Sequence, residues 1–161
     1  MTEKEMFLNS FDREFQTTMR VLNAYPSDKL DFRPHPRSRS AGELAWNFAN
    51  EERMLVGGAV AGDVVFKQNS TPETLDEIKT EYENIHHDMT AKVAGMEDAA
   101  FNEMITFGSG SDHAVPMRRG DALWLAIMDA VHHRGQFSVY IRMAGGKVPS
   151  IYGPSADELG Q

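Results

Sequence analysis

Leu75, Ile78, Tyr82, Ile85, Met89 and Val93 follow one another at steps of three and four without a miss. That spacing sets side chains along one face of an α-helix. A chain carrying several such stripes must hide them against one another, and this limits its fold more than any other feature. The spacing recurs from about Thr2 to Ala24, where Phe7, Phe11, Phe15, Met19 and Leu22 form a row that ends just before Pro26. Ser40 and Glu43 in "SAGEL" make a capping-box pattern that opens a second helix, which ends near "GGAVAGD". Thr71, Pro72 and Glu73 predict the start of the third helix, the one that carries Leu75 to Val93. A fourth is expected from near Gly120 to about Ala144, and its first half, "ALWLAIM", is apolar almost all round and so belongs deep inside.

No segment shows sustained strand alternation. The stretch "MEDAAFNEMITFGSGSDHAVPM" breaks the helical pattern with glycine, serine and proline. It reads as a long connection between helices three and four, with one short extended piece around Met104 to Phe107. Ser155 and Glu158 predict a short C-terminal helical turn. Four helices without strands bury their stripes most simply around a common core, so the expected fold is all-α, a four-helix bundle. A length of 161 residues suits one domain spanning 1–161. Sixteen basic against 24 acidic residues give a net charge of −8, which disfavours nucleic acid as a partner. There is no cysteine, so disulfides, thiolate metal ligands and a cysteine nucleophile are excluded. No uncharged apolar run reaches the length of a membrane span or signal core, so the expectation is a cytoplasmic protein with no membrane partner.

The chemistry is concentrated in "DAVHHRGQ". Asp129 and His133 are four apart on the fourth helix, so their side chains stack on one face and can share one ion, or one hydrogen bond. His132 points about 100° away from His133 and does not join it. A metal between Asp129 and His133 needs a further ligand from a facing helix. His86 and His87 are expected on the polar side of the third helix. His113 lies in the long connection, where it can close over a pocket. Arg33, His35, Arg37 and Arg39 in "FRPHPRSRS" form a basic loop that can receive an anionic group or simply be solvated. Gly135 inside a helix costs roughly 1 kcal/mol against alanine, which suggests close approach of another backbone. Tyr152, in a turn-rich docking tail, is within range of the pocket.

The segment "HHRGQFSVYIRMAGGKVPSIYGPSADE" resembles the C-terminal signature of the DinB family, in which the histidine of "HRGQ" and another one turn earlier bind a divalent metal. "SAGELAWNFANEER" is similar to the family's second helix, where a third histidine precedes a Glu-Arg pair by five residues. The similarity runs from the first helix to "PSADE". Carried over, the implied ligands are Asn47, Asp129 and His133, of which only the last is a histidine. Oxygen ligands favour harder ions than three imidazoles do. Glu43 and Glu51, one turn to either side of Asn47, are expected to be solvated, although either can lend a carboxylate.

The resemblance implies a divalent metal (Ni, Zn, Fe or Mn), a low-molecular-weight thiol, a small-molecule substrate and a homodimer. The corresponding activity is that of a metal-dependent transferase or hydrolase. The alternative is a non-catalytic binding or stress-response bundle in which Asn47, Asp129 and His133 form a hydrogen-bonded network without an ion.

Overall fold

The computed structural model describes residues 1–158. Helix α1 (Glu3–Asn23) opens on a capping box between Thr2 and Glu5, and its apolar row is buried from Phe7 to Leu22. Helix α2 (Ala41–Glu51) opens on the expected box: the Glu43 amide donates to Ser40 Oγ at 3.1 Å and the Ser40 amide to Glu43 Oε2 at 2.6 Å. It passes through a wide π turn (Glu52–Val56) into α3 (Gly57–Ala61), and the rod stops at Gly62, whose φ of +90° favours glycine. Helix α4 (Leu75–Ala94) begins later than Thr71-Pro72-Glu73 suggested. Thr74 is the cap and makes a reciprocal box with Glu77, satisfying two amides where the earlier site offered one hydroxyl. Helix α5 (Arg119–Met143) matches the fourth expected helix closely.

Helices α1 and α2 each pack against both α4 and α5, and the apolar stripes meet between them. No described helix is long and apolar enough to cross a membrane.

The expectation of a chain without strands is corrected. The molecule is mostly helical with a small three-stranded sheet in the order β1-β2-β3. Strand β2 (Met104–Phe107) is the extended piece foreseen in the sequence; it pairs in parallel with β1 (Asp63–Val64) and antiparallel with β3 (Val115–Arg118). Neither partner was visible beforehand, because β1 has two residues and β3 contains Pro116, which only an edge strand accepts. Strand β1 lies against α3 where a side chain is missing: a Cβ on Gly58 would stand 2.8 Å from Val64 Cα. Arg118 and Arg119, where β3 runs into α5, hold the sheet to the helices. Arg118 grips the Glu3 carboxylate with both terminal nitrogens, at 2.8 and 2.7 Å. Arg119 donates to Ala59 O at 2.9 Å and to Glu103 Oε2 at 2.6 Å.

Arg134 is the largest fully buried side chain, 1% exposed, and it ties α5 to α1. It donates to Glu14 Oε2 at 2.5 Å, Glu14 O at 3.0 Å and Thr18 Oγ1 at 3.1 Å, and also to the Tyr152 hydroxyl. Tyr152, expected within range of the pocket, instead donates to Glu14 Oε2 at 2.5 Å and places its ring over the guanidinium. The tail docks on this network and on α5. Ser155 to Glu158 is one hydrogen-bonded turn rather than a capping box, because Ser155 Oγ is spent on Val148 O at 2.5 Å and the Glu158 carboxylate on the Ser150 amide at 2.8 Å. Gly135 is also corrected: it is exposed, a Cβ there would meet nothing within 4 Å, and no close approach accounts for it.

Two outcomes follow. Burial works against ionising Glu14, but its bonds from Tyr152 and Arg134 outweigh burial and hold the carboxyl below its ordinary 4.5. The stabilisation is therefore complete above that value and is lost as the pH falls through the lowered one. Urea unfolding from about pH 3 to 7 should show an acid limb that Glu14→Gln flattens, at a cost of about 3 kcal/mol near neutrality. Gly135→Ala should raise stability by up to about 1 kcal/mol, read as a higher melting temperature.

Candidate metal centre

Two pairs of residues four apart face each other across the seam between α2 and α5. On α2 the pair is Asn47 and Glu51; on α5 it is Asp129 and His133. His133 Nε2 stands 3.3 Å from Glu51 Oε1 and 3.5 Å from Asp129 Oδ1. One donor atom from each of Glu51, Asp129 and His133 lies within 4.8 Å of the other two. A tetrahedral or octahedral shell with bonds of about 2.1 Å separates neighbouring donors by about 3.0 to 3.4 Å, so the two His133 contacts are already near the separation an ion requires. Glu51, expected to be solvated, is turned inward, with its side chain 16% exposed. Asn47 lies one turn before it, faces it without reaching hydrogen-bond geometry, and lines the same cavity as Glu51 and Asp129. Glu43 stays at the edge, half exposed and paired with Arg33 at 3.0 Å.

The three charges set one another's protonation. Burial pushes the Asp129 carboxyl up, the adjoining Glu51 carboxylate adds to this, and the result is about 7 despite the opposing charges of His133 and Arg39. Glu51 feels burial too, but contacts with His133 and Asp129 outweigh it and hold its carboxyl below the usual range. The contact with Glu51 raises His133 against the effect of burial. Of the two carboxyls, Asp129 is therefore the one that holds its proton more tightly.

The "HRGQ" signature explains the orientation of the imidazole. His133 Nδ1 is 3.2 Å from Gln136 Oε1, and Gln136 Nε2 in turn donates to His132 Nε2 at 2.9 Å. A proton on His133 Nδ1 leaves Nε2 free to face the carboxylates, the arrangement that ligating histidines adopt. His132 thus supports the site from outside, as its different direction on the helix foretold.

The remaining histidines separate. His86, expected on the polar side, is 2% exposed, stacked on Phe15 at 3.9 Å and bonded through Nδ1 to Glu52 Oε1 at 3.1 Å. Burial raises the Glu52 carboxyl. Its apolar stacking partners on α1 hide it, and only the acidic neighbour in the π turn hinted at this. His87 is exposed, and so is His113 at the tip of the β2–β3 connection, where it lines none of the cavities described here.

Glu51 Oε2 and Asn47 Nδ2 are both buried without a hydrogen-bond partner. Leaving a buried polar atom unmet costs about 1–3 kcal/mol. An unpartnered buried carboxylate oxygen, inside a cluster of two carboxylates and one imidazole, fits a divalent cation. Glu51, named in the sequence as able to lend a carboxylate but expected to be solvated, is the one of the two flanking glutamates that joins the group; its place four after Asn47, on the face turned toward Asp129 and His133, was the available signal.

The sequence and the fold have counterparts among known proteins. Residues 1–160 match the sequence profile of the DinB family. The chain belongs to the DinB family. It is 27% identical over 160 residues to YrdA of Bacillus subtilis strain 168, described as an uncharacterised protein, covering 94% of this chain and 89% of that one. Its fold is similar to the crystal structure of a DinB-like protein from Bacillus cereus ATCC 10987, with TM-score 0.78, 23% identity, and coverage of 92% of this chain and 97% of that one. A DinB-like protein of Bacillus subtilis, YjoA, gives TM-score 0.75 at 17% identity, with 92% and 98% coverage.

In this DinB chain the basic loop before α2 has a place. Arg33, Arg37 and Arg39 line a cavity of about 300 Å³ together with Trp46 and Asn47, whereas His35 turns aside to accept the Arg37 amide at 3.1 Å. Removing the Glu51 charge should lower Asp129 only in part: in metal-free Glu51→Gln, the Asp129 midpoint should fall below about 7 yet stay above the ordinary carboxylate range, because burial remains, as followed by carbon NMR of its carboxyl.

Proposed function

We propose that this chain binds one divalent cation between α2 and α5 through Glu51, Asp129 and His133, and that it is a metal-dependent enzyme of transferase or hydrolase type acting on a small molecule. The observation that carries this reading is the unmet Glu51 Oε2 within a cluster whose other contacts already have ligand-like separations. Four long helical rods act as the scaffold, a four-helix bundle in a single domain, with ligands projecting inward from two facing helices. Of the family's implied set, Asp129 and His133 are kept, and Glu51, one turn after Asn47, supplies the ligand from α2.

Two carboxylates and one imidazole form a harder set than three imidazoles, so manganese, iron or zinc suits the site better than nickel. A bound ion would supply Lewis acidity, lowering the pKa of a coordinated water or low-molecular-weight thiol. The chain's own groups do the remainder. Gln136 keeps His133 Nε2 pointed into the seam, and Asp129, whose carboxyl sits at about 7 without an ion, would give up its proton on coordinating one. A second reading is a bundle that binds small molecules without an ion; the bridging of both carboxylates by His133 Nε2 favours it.

Metal analysis of untagged protein separates the two. The expected result is about one ion per chain, lost in the Asp129→Ala, His133→Ala double variant and strongly reduced in Glu51→Ala, with circular dichroism unchanged. Protein that stays metal-free after exposure to manganese, iron and zinc overturns the enzyme reading.

A further inference from the structure

The unmet polar groups around the seam sort by kind. The acceptor, Glu51 Oε2, is at the proposed cation. The donors lie on the other side, in the cavity under the basic loop. Trp46, 6% exposed, and Asn47, 5% exposed, both line it, and Trp46 Nε1 and Asn47 Nδ2 are buried with no hydrogen-bond partner. Of the three arginines there, Arg33 is occupied, by Glu43 at 3.0 Å and by Ser38 O at 2.6 Å. The guanidinium groups of Arg37 and Arg39 form no hydrogen bond or ion pair among the described residues, although the Arg39 charge acts on Asp129. A protein of net charge −8 thus brings three guanidinium groups and one carboxylate to a single cavity. The two buried, unpartnered side-chain atoms among its lining residues, Trp46 Nε1 and Asn47 Nδ2, are both donors.

Donors of that number and charge are satisfied by an anion with several acceptor oxygens. The volume of about 300 Å³ lies at the small end of ligand sites and suits the head of a small molecule. The cavity also adjoins the metal centre. Asn47 and Arg39 line both it and the adjoining cavity of about 350 Å³ that contains Glu51 and Asp129, and Arg39 further lines the cleft beside His133.

We propose that the cavity formed by Arg37, Arg39, Trp46 and Asn47 receives the anionic group, a carboxylate or a phosphoryl, of a small molecule whose other end reaches the Glu51–Asp129–His133 centre. The second half of this statement rests on the proposed function; binding of the anionic group does not require the ion. Arg37 and Arg39 supply charge from the rim, while Trp46 and Asn47 supply direction from the floor. Substrates lacking a negative charge are then selected against, since they leave the buried donors unmet.

The test uses the full chain, with and without EDTA treatment, and titrates inorganic phosphate, succinate and neutral succinamide. The readout is the Trp46 indole and Asn47 side-chain amide signals in nitrogen–proton NMR. Saturable single-site shifts with phosphate assign a phosphoryl, and shifts with succinate a carboxylate. Succinamide should produce neither. Arg37→Gln with Arg39→Gln, both at exposed positions, should weaken binding about tenfold or more, and Trp46→Phe should weaken it without changing the charge. Equal binding of succinamide, no shift at Trp46 and Asn47 with either anion, or an undiminished affinity in the arginine variant overturns the proposal. Anion binding that survives EDTA upholds this site even if the metal analysis fails, and a full metal content without anion binding overturns this site alone.

Discussion

A guanidinium sealed inside a protein must be met by acceptors on nearly every side, and Arg134 obtains them from Glu14, Thr18 and Tyr152. Those partners allow α5 one rotation about its axis. His133 is the preceding residue, about 100° round the helix, and so is aimed into the seam with α2; Asp129, one turn back, shares its face. The direction of the candidate ligands thus follows from a buried ion pair that takes no part in their chemistry. The same helical step acts within the α2 rod, where the consecutive carboxylates of Glu51 and Glu52 serve histidines on different helices, His133 on α5 and His86 on α4.

The centre and the basic cavity share a wall, and Asn47 is that wall. Its position puts it beside a carboxylate lacking a donor and also beside guanidinium groups lacking acceptors. A histidine at 47 would favour the cation side alone. An amide has a carbonyl oxygen for a cation and N–H groups for an anion.

The helices were legible because each carries its own evidence: the Phe7 to Leu22 row, the Ser40–Glu43 box, and the Leu75 to Val93 stripe require no knowledge of the remaining chain. The Asp129–His133 pair was legible for the same reason, being local to one helix. What escaped depended on contacts between distant segments. Strand β1 is too short to show alternation and exists because Gly58 lets it approach. His86 looked polar by neighbourhood and is buried by rings from α1. Tyr152 was within reach of two places, and the Arg134 network decided between them. Thr71 and Thr74 both offered a hydroxyl, and the glutamate three residues on made Thr74 the stronger cap. Glu51 required knowing which face of α2 meets α5, information that lies in the packing and not in any single stripe.

A centre of two carboxylates and one imidazole has one further electrical consequence. Three neutral imidazoles form an uncharged pocket when vacant, whereas Glu51, Asp129 and His133 stripped of hydrogen ions carry two negative charges in a half-buried seam. Such a seam is never bare of positive charge: whatever leaves must be exchanged for an equivalent, as in a bead of ion-exchange resin.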